Sequence, residues 1–250
     1  MRSSPEERFI DLNADLGEGP GEEPLYPLIT SANVACGGHA GTLVSMVAAI
    51  DRCRAAGVAV GAHPSYEDVA GFGRRPPRPA ADADELAASI ELQVSLLASH
   101  ARDRGARLAH VKPHGALYND AARDEDVARA VGRGVLRAAR DAILFGLAGS
   151  RAVPVWKDMG FEVAEEGFAD RGYGGDGALL SRGESGAVLT DPGAAAAQAV
   201  ALAQSGRVAT LCVHGDTPGA LAILGAVRAA LTGAGFALRA PARSVARRRA

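Results

Sequence analysis

Seven times along this chain a short apolar run of strand length closes on a burst of polar, chemically capable residues. The bursts are Asp11-Leu-Asn13-Ala-Asp15, Asn33 to His39, Gly61-Ala-His63-Pro-Ser65-Tyr66, Lys112-Pro-His114 with Tyr118 and Asn119, Gly146 to Ser150, Phe168-Ala-Asp170-Arg171 with Tyr173, and His214-Gly-Asp216-Thr217. A strand buried on both faces reads as apolar throughout, so polar groups gathered at its C-terminal end need a separate cause. In β/α barrels and open α/β sheets that end is where the βα loops converge and where sites are built. The expectation is one pocket fed by most of the strands.

Strands are expected near 8–14, 30–35, 57–62, 107–112, 142–147, 161–166 and 208–213, with helices over 41–56, 81–104, 120–140, 149–159, 191–204 and 217–234. Leu86, Ile90, Leu92, Leu96 and Leu97 give the second helix an apolar face near period 3.6, and Asp82, Asp84 and Glu85 favour its start. Asp191-Pro192 and Thr217-Pro218 read as capped helix starts; Gly57, Gly105 and Gly235 read as stops. Strict alternation of strand and helix argues for parallel strands covered by helices. Because the polar strand ends are not confined to one switch point, a closed or partly closed barrel is favoured over a doubly wound sheet. No repeat, linker or composition break divides the 250 residues, so 1–250 is read as one domain with a basic tail from about 240 to 250, expected to fray.

Formal net charge is −2, so no general attraction to nucleic acid or a membrane surface is expected. No run approaches the ~20 apolar residues of a membrane span. The N-terminus lacks a signal peptide's apolar region. Three well-separated cysteines, Cys36, Cys53 and Cys212, give no zinc spacing and suit a reducing compartment, so a cytoplasmic location is expected.

In an extended chain Asp11, Asn13 and Asp15 share one face. Their convergence requires a positive partner: a metal, Lys112 or an arginine. Paired carboxylates also split their proton affinities, which suits one of them to act as a base. His39 and His63 follow the second and third strands. With Asp11 or Asp15 they form a candidate carboxylate-plus-two-histidine metal site; direct catalytic use and plain structural burial are the competing readings. Lys112 balances the aspartates or stabilises an oxyanion or phosphoryl group, and His114 relays a proton to a leaving nitrogen. Asp170, Arg171, His214 and Asp216 form a second charge set, with Asp216 as a helix cap in competition. Arg74 and Arg75 either clamp a substrate carboxylate or form a solvated pair. The glycine spacing over 172–177 matches a dinucleotide fingerprint but lacks its strand and helix, and no phosphate-loop lysine or nucleophile-elbow serine occurs. Cys36, Cys53 and Cys212 read as packed thiols.

Several of these strings together resemble one family. Ile10 to Gly19, Ser31 to Gly41, Gly61 to Ser65, Gly71 to Arg74, His110 to Asn119, Phe168 to Tyr173 and Val213 to Asp216 occur in the order of the LamB/YcsF lactam-utilisation family, over about residues 9–238. The resemblance implies an irregular seven-stranded β/α (TIM-like) barrel, similar to polysaccharide deacetylases, with Asp and His at strand ends. It further implies a subunit of an ATP-dependent 5-oxoprolinase, which opens 5-oxo-L-proline to L-glutamate in a complex with subunits B and C. With no nucleotide motif here, ATP is expected to bind partly or wholly through those partners. On this reading Asp15 or Asp11 is the base for water, and His39 and His63 orient it or hold a divalent metal with Asp11. Lys112 faces the developing charge and His114 protonates the nitrogen. Asn13, Asn33, Arg74, Tyr118, Asn119, Asp170, Arg171, His214 and Asp216 are assigned to substrate contact. Three departures from the family pattern stand out: Gly38 replaces an aromatic wall residue, Thr42 replaces an aspartate, and the segment 205–210 is short. A stand-alone metal-dependent deacetylase or amidohydrolase and a non-catalytic binding protein that only delivers substrate remain the alternatives.

Overall fold

The computed structural model describes residues 7–77, 82–175 and 177–243. The arginines 247–249 of the basic tail lie outside them. Strands β1 (Arg8–Leu16), β2 (Ser31–Ala35), β3 (Ala59–His63), β4 (Leu108–Val111), β5 (Ile143–Leu147), β6 (Val163–Phe168) and β7 (Thr210–Cys212) pair in sequence order, and β1 pairs with both β7 and β2. All pairings are parallel, so the seven strands close into a ring without free edges. An eighth strand, β8 (Phe236–Leu238), adds to Arg8–Ile10 at the N-terminal end of β1. Sequence patterning gives no sign of so short a segment.

Between the strands lie α1 (Leu43–Ala56), α2 (Ala83–Asp103), α3 (Gly115–Arg123), α4 (Glu125–Ala139), α5 (Ala152–Asp158), α6 (Pro192–Gln204) and α7 (Ala220–Gly233), and a 3₁₀ turn spans Glu23–Leu28. The expected helix over 120–140 is two helices. Asp124 takes an extended conformation and its carboxylate accepts from Asp126 N and Val127 N, which ends α3 and caps α4. Asp191 caps α6 through Ala194 N, as its sequence suggests. Thr42, despite replacing an aspartate, forms a reciprocal capping box with Ser45. Thr217 does not cap α7. Gly219 in the left-handed region occupies that position, and the Thr217 hydroxyl donates instead to Asp170 Oδ2 at 2.6 Å.

The alternation Ile10-Asp-Leu-Asn-Ala-Asp-Leu16 on β1 would ordinarily mark one wet face and one dry face. Here both faces are buried: Ile10, Leu12, Ala14 and Leu16 belong to the apolar core, while Asp11, Asn13 and Asp15 are at most 4% exposed. In the closed ring the polar side points inward.

Candidate active site

The barrel interior is a hydrogen-bonded polar column, where a β/α barrel usually packs Val, Ile and Leu. Asp11 lies lowest, accepting from the hydroxyls of Thr30 (2.6 Å), Ser31 (2.8 Å) and Thr210 (2.6 Å). Burial raises its carboxyl to about 6 against those three donors. Above it, Asn13 Nδ2 donates to Thr210 Oγ1 (2.6 Å) and Glu166 Oε1 (3.0 Å). Asn33 Nδ2 donates to Asn13 Oδ1 and Asp15 Oδ1, both at 2.8 Å, and Asn33 Oδ1 faces His110 Nε2 at 2.8 Å. Asn13 and Asn33 are therefore wall braces with no amide group left for substrate. Asp11 lies about 13 Å below Asp15 at roughly 3.3 Å per residue. Its oxygens are held by hydroxyls from strand bottoms, so the expected metal set of Asp11, His39 and His63 does not assemble.

Asp15 marks the top of this column. Lys112 Nζ, itself 2% exposed, lies 3.0 Å from Asp15 Oδ1, 3.1 Å from Glu166 Oε1 and 3.0 Å from Cys212 Sγ. Burial works against ionisation of Asp15, but His63 and Lys112 beside it hold its carboxyl well below the usual range. Burial likewise disfavours the Lys112 ammonium, yet Asp15, Cys212 and Glu166 raise its pKa well above the ordinary value. Lys112 thus fits the expected aspartate partner, and its protons are directed at protein acceptors instead of a substrate oxygen.

Beside Asp15 three histidines and a glutamate meet. Glu18 Oε1 lies 2.8 Å from His39 Nε2, 3.4 Å from His114 Nδ1 and 3.8 Å from His63 Nε2. His63 Nδ1 faces the Lys112 carbonyl oxygen (2.7 Å), and His114 Nε2 faces that of Phe72 (2.9 Å). A carbonyl only accepts, so each ring carries its proton on that outer nitrogen. His114 therefore has no proton to give a leaving nitrogen, and burial with His63 and His39 nearby lowers its pKa far below the histidine norm. The expected role as proton donor fails on both counts. Burial lowers His39 to about 3 and raises Glu18 to about 8. Phe72 packs edge-on against the stacked His39 and His114 rings. It does so with φ at 55°, a costly conformation for an aromatic residue. Phe72 supplies an aromatic wall, and the room beside Gly38 is filled by Ser65 and Gln93, whose side chains a Cβ there would strike at 2.4 and 2.6 Å.

Across the cleft, buried Asp170 accepts from His214 Nδ1 (3.0 Å), His214 N (3.0 Å) and the Thr217 hydroxyl. Burial opposes the Asp170 charge, but His214 and Thr217 hold its carboxyl below the ordinary value. With Nδ1–H turned to Asp170, the other nitrogen of His214 is left for the cleft. Arg171 bonds the carbonyls of Ala187 (2.9 Å) and Leu180 (2.6 Å), pinning the loop that follows β6. Asp216 pairs with Arg74 and lies 3.6 Å from Arg182; it caps no helix. Arg75 turns outward to Asp68.

Asp15, His63, Arg74, His114, Arg182 and His214 are among the residues around a cavity of about 280 Å³ at the C-terminal mouth. Tyr118, Asn119, Lys112 and Arg171 also line it. Of the residues expected at the site, His39 and Asp170 stand just behind this lining, Asp216 is exposed and paired with Arg74, and Asp11, Asn13 and Asn33 lie deeper. Sequence reasoning missed Glu18, Glu166, His110 and Arg182. A polar residue at alternate positions of a buried strand, such as Glu166 two before Phe168, is the signal that would have found the interior ones. Cys212, expected as plain core, sits against an ammonium group.

Comparison with known proteins places this architecture. The LamB/YcsF family model matches residues 10–246. The A subunit of 5-oxoprolinase from Chloroflexus aggregans is 46% identical, with 93% of this chain and 98% of that protein covered. Its counterpart from Symbiobacterium thermophilum is 45% identical, covering 94% and 96%. The crystal structure of a lactam utilization protein from Thermus thermophilus superposes with a TM-score of 0.86 at 37% identity, covering 92% of this chain and 99% of that one. The catalytic domain of a peptidoglycan N-acetylglucosamine deacetylase from Eubacterium rectale shares the fold, with TM-score 0.53 at 12% identity over 96% and 91% of the two chains. The chain belongs to the LamB/YcsF family.

Proposed function

We propose that this chain is the A subunit of a 5-oxoprolinase, hydrolysing the ring amide of 5-oxo-L-proline to L-glutamate with breakdown of ATP. The observation that carries the chemistry is that an ionised aspartate and an aspartate-backed histidine face one small cavity. The relatives named above support the substrate. At about 280 Å³ the cavity is at the small end of ligand pockets, which suits a compact metabolite.

A five-membered lactam is stabilised by amide resonance, and its open product recloses readily. Transfer of a phosphoryl group to the amide oxygen makes the ring carbon a strong electrophile and accounts for the ATP. No nucleotide motif is present in the sequence, so ATP is bound mainly by partner subunits B and C. Water then adds to the ring carbon, the ring C–N bond breaks to leave γ-glutamyl phosphate, and a second water releases phosphate to give L-glutamate. Asp15 Oδ2, which the Lys112 and Asn33 bonds to Oδ1 leave with only His63 Nε2 nearby at 3.4 Å, orients the first water and takes its proton. His214, whose free nitrogen takes a proton from solvent while Asp170 balances the imidazolium charge, passes that proton to the departing nitrogen. Arg74 and Arg182 at the rim supply charge for the substrate carboxylate or the phosphoryl group. The three cysteines are free thiols, consistent with a cytoplasmic enzyme. Among the described residues no helix is long and apolar enough to cross a membrane.

The test is glutamate release from 5-oxoproline by the complex reconstituted with subunits B and C, with and without ATP. Asp15→Asn and His214→Gln should each lower turnover by about 100-fold or more, with the circular dichroism spectrum unchanged. Near-wild-type rates in both variants would refute the assignment. Lactam opening by the isolated chain without ATP would favour the stand-alone amidohydrolase reading. Variants that alter only apparent substrate affinity would favour a non-catalytic binding role.

A further inference from the structure

Three electron-rich atoms converge around His63 Nε2, a set that suits a positive species. His63 Nδ1 and His114 Nε2 each hold their ring's proton against a backbone carbonyl. In the neutral rings the two inward nitrogens, His63 Nε2 and His114 Nδ1, present lone pairs to each other at 2.9 Å. Two carboxylate oxygens also face His63 Nε2: Asp15 Oδ2 at 3.4 Å and Glu18 Oε1 at 3.8 Å. A proton on His63 Nε2 hydrogen-bonds one of these atoms at close range, whereas a metal ion bonds several of them at once.

We propose that His63 Nε2, His114 Nδ1 and Glu18 Oε1 bind one divalent transition-metal ion of the zinc or cobalt type, with His39 as the outer residue that holds Glu18. The three donor atoms are separated by 2.9, 3.4 and 3.8 Å, and the point equidistant from them lies about 2.0 Å from each, the bond length of zinc to His nitrogen or carboxylate oxygen. Each ligating imidazole already has the carbonyl partner on its far nitrogen that metal-bound histidines use to fix their tautomer. His39 Nε2 reaches the carboxylate at 2.8 Å, completing the outer support. Nitrogen-rich donors select a transition ion over magnesium or calcium. Three protein ligands with His63 and His114 on the cavity wall leave positions open on the substrate side, the pattern of a catalytic ion and not of a structural one. Such an ion acidifies a bound water. The neighbouring cluster of Asp15, Cys212 and His214 has no comparable need, because Lys112 already stands 3.0 Å from both Asp15 and Cys212.

This site stands on its donor geometry whatever the substrate, so it is tested on the isolated full chain without lactam, ATP or partners. After chelator treatment and dialysis, titration with zinc chloride should give one site per chain with a dissociation constant below micromolar. His63→Ala and His114→Ala should weaken it by about 100-fold or more, His39→Ala by about 10- to 100-fold, and His100→Ala, at the far end of α2, should leave it unchanged. Should the alanine variants misfold, the wild-type protein still decides. In the cobalt-loaded chain two slowly exchanging imidazole N–H resonances, those held by the Lys112 and Phe72 carbonyls, should be paramagnetically shifted. Absence of stoichiometric zinc binding, or cobalt loading that leaves both resonances unmoved, overturns the proposal.

Discussion

His110 and Gly61 show how closely single residues set the interior. A Cβ at Gly61 would lie 2.0 Å from His110 Nε2, so the glycine on β3 makes room for the imidazole on β4 that holds Asn33. Burial, with the Lys112 charge next, lowers His110 to about 3, so it stays neutral and braces the Asn33 carbonyl. Gly61→Ala should destabilise the fold by about 1–3 kcal/mol through overpacking. Adding His110→Ala should recover part of that loss, and urea unfolding of the four-member cycle measures the coupling. Additive losses would mean that the two side chains do not compete for one space.

At the scale of elements, the site depends on how strand ends are tied to the loops that follow them. Asp170 joins the end of β6 to the turn between β7 and α7 through His214 and Thr217. Its carboxyl is held below the ordinary value, so the stability it adds is present above the unfolded carboxylate pKa of about 4 and is lost as pH falls through the folded value. The stability difference between wild type and Asp170→Asn should therefore be largest near neutral pH and shrink below about pH 4. Urea midpoints at pH 7, 5 and 3 check this; a difference independent of pH would show that the ionised carboxylate is not what ties the loop. Gln198 on α6 adds a second fastening, donating to the carbonyls of Phe168 (2.8 Å) and Arg171 (2.8 Å).

For the whole molecule, closure of the barrel sets Asp11 and Asp15 at different depths. Asp11 belongs to the lower, structural end and Asp15 to the mouth, although they share one face of one strand. In the reconstituted complex Asp11→Asn should keep turnover within about threefold of wild type, whereas Asp15→Asn loses about 100-fold or more. Equal losses in both would show that the lower carboxylate takes part in the chemistry.

Alternation of apolar strands with helix-period segments fixed the parallel β/α class, and the polar bursts indicated which end carries the candidate site, because both follow from local periodicity and from where βα loops must lie. The Asp191 cap was equally legible, since a cap is made within three residues. What the sequence left open was depth and partnership. About 3.3 Å per residue separates Asp11 from the mouth, and no local rule says which polar residue on a strand lies at the bottom of a closed ring. Glu18, His63 and His114 come together from positions as much as 96 residues apart, and which ring nitrogen bears a proton depends on the carbonyls of Lys112 and Phe72. Those contacts exist only once the barrel has closed, so only the tertiary structure decides them.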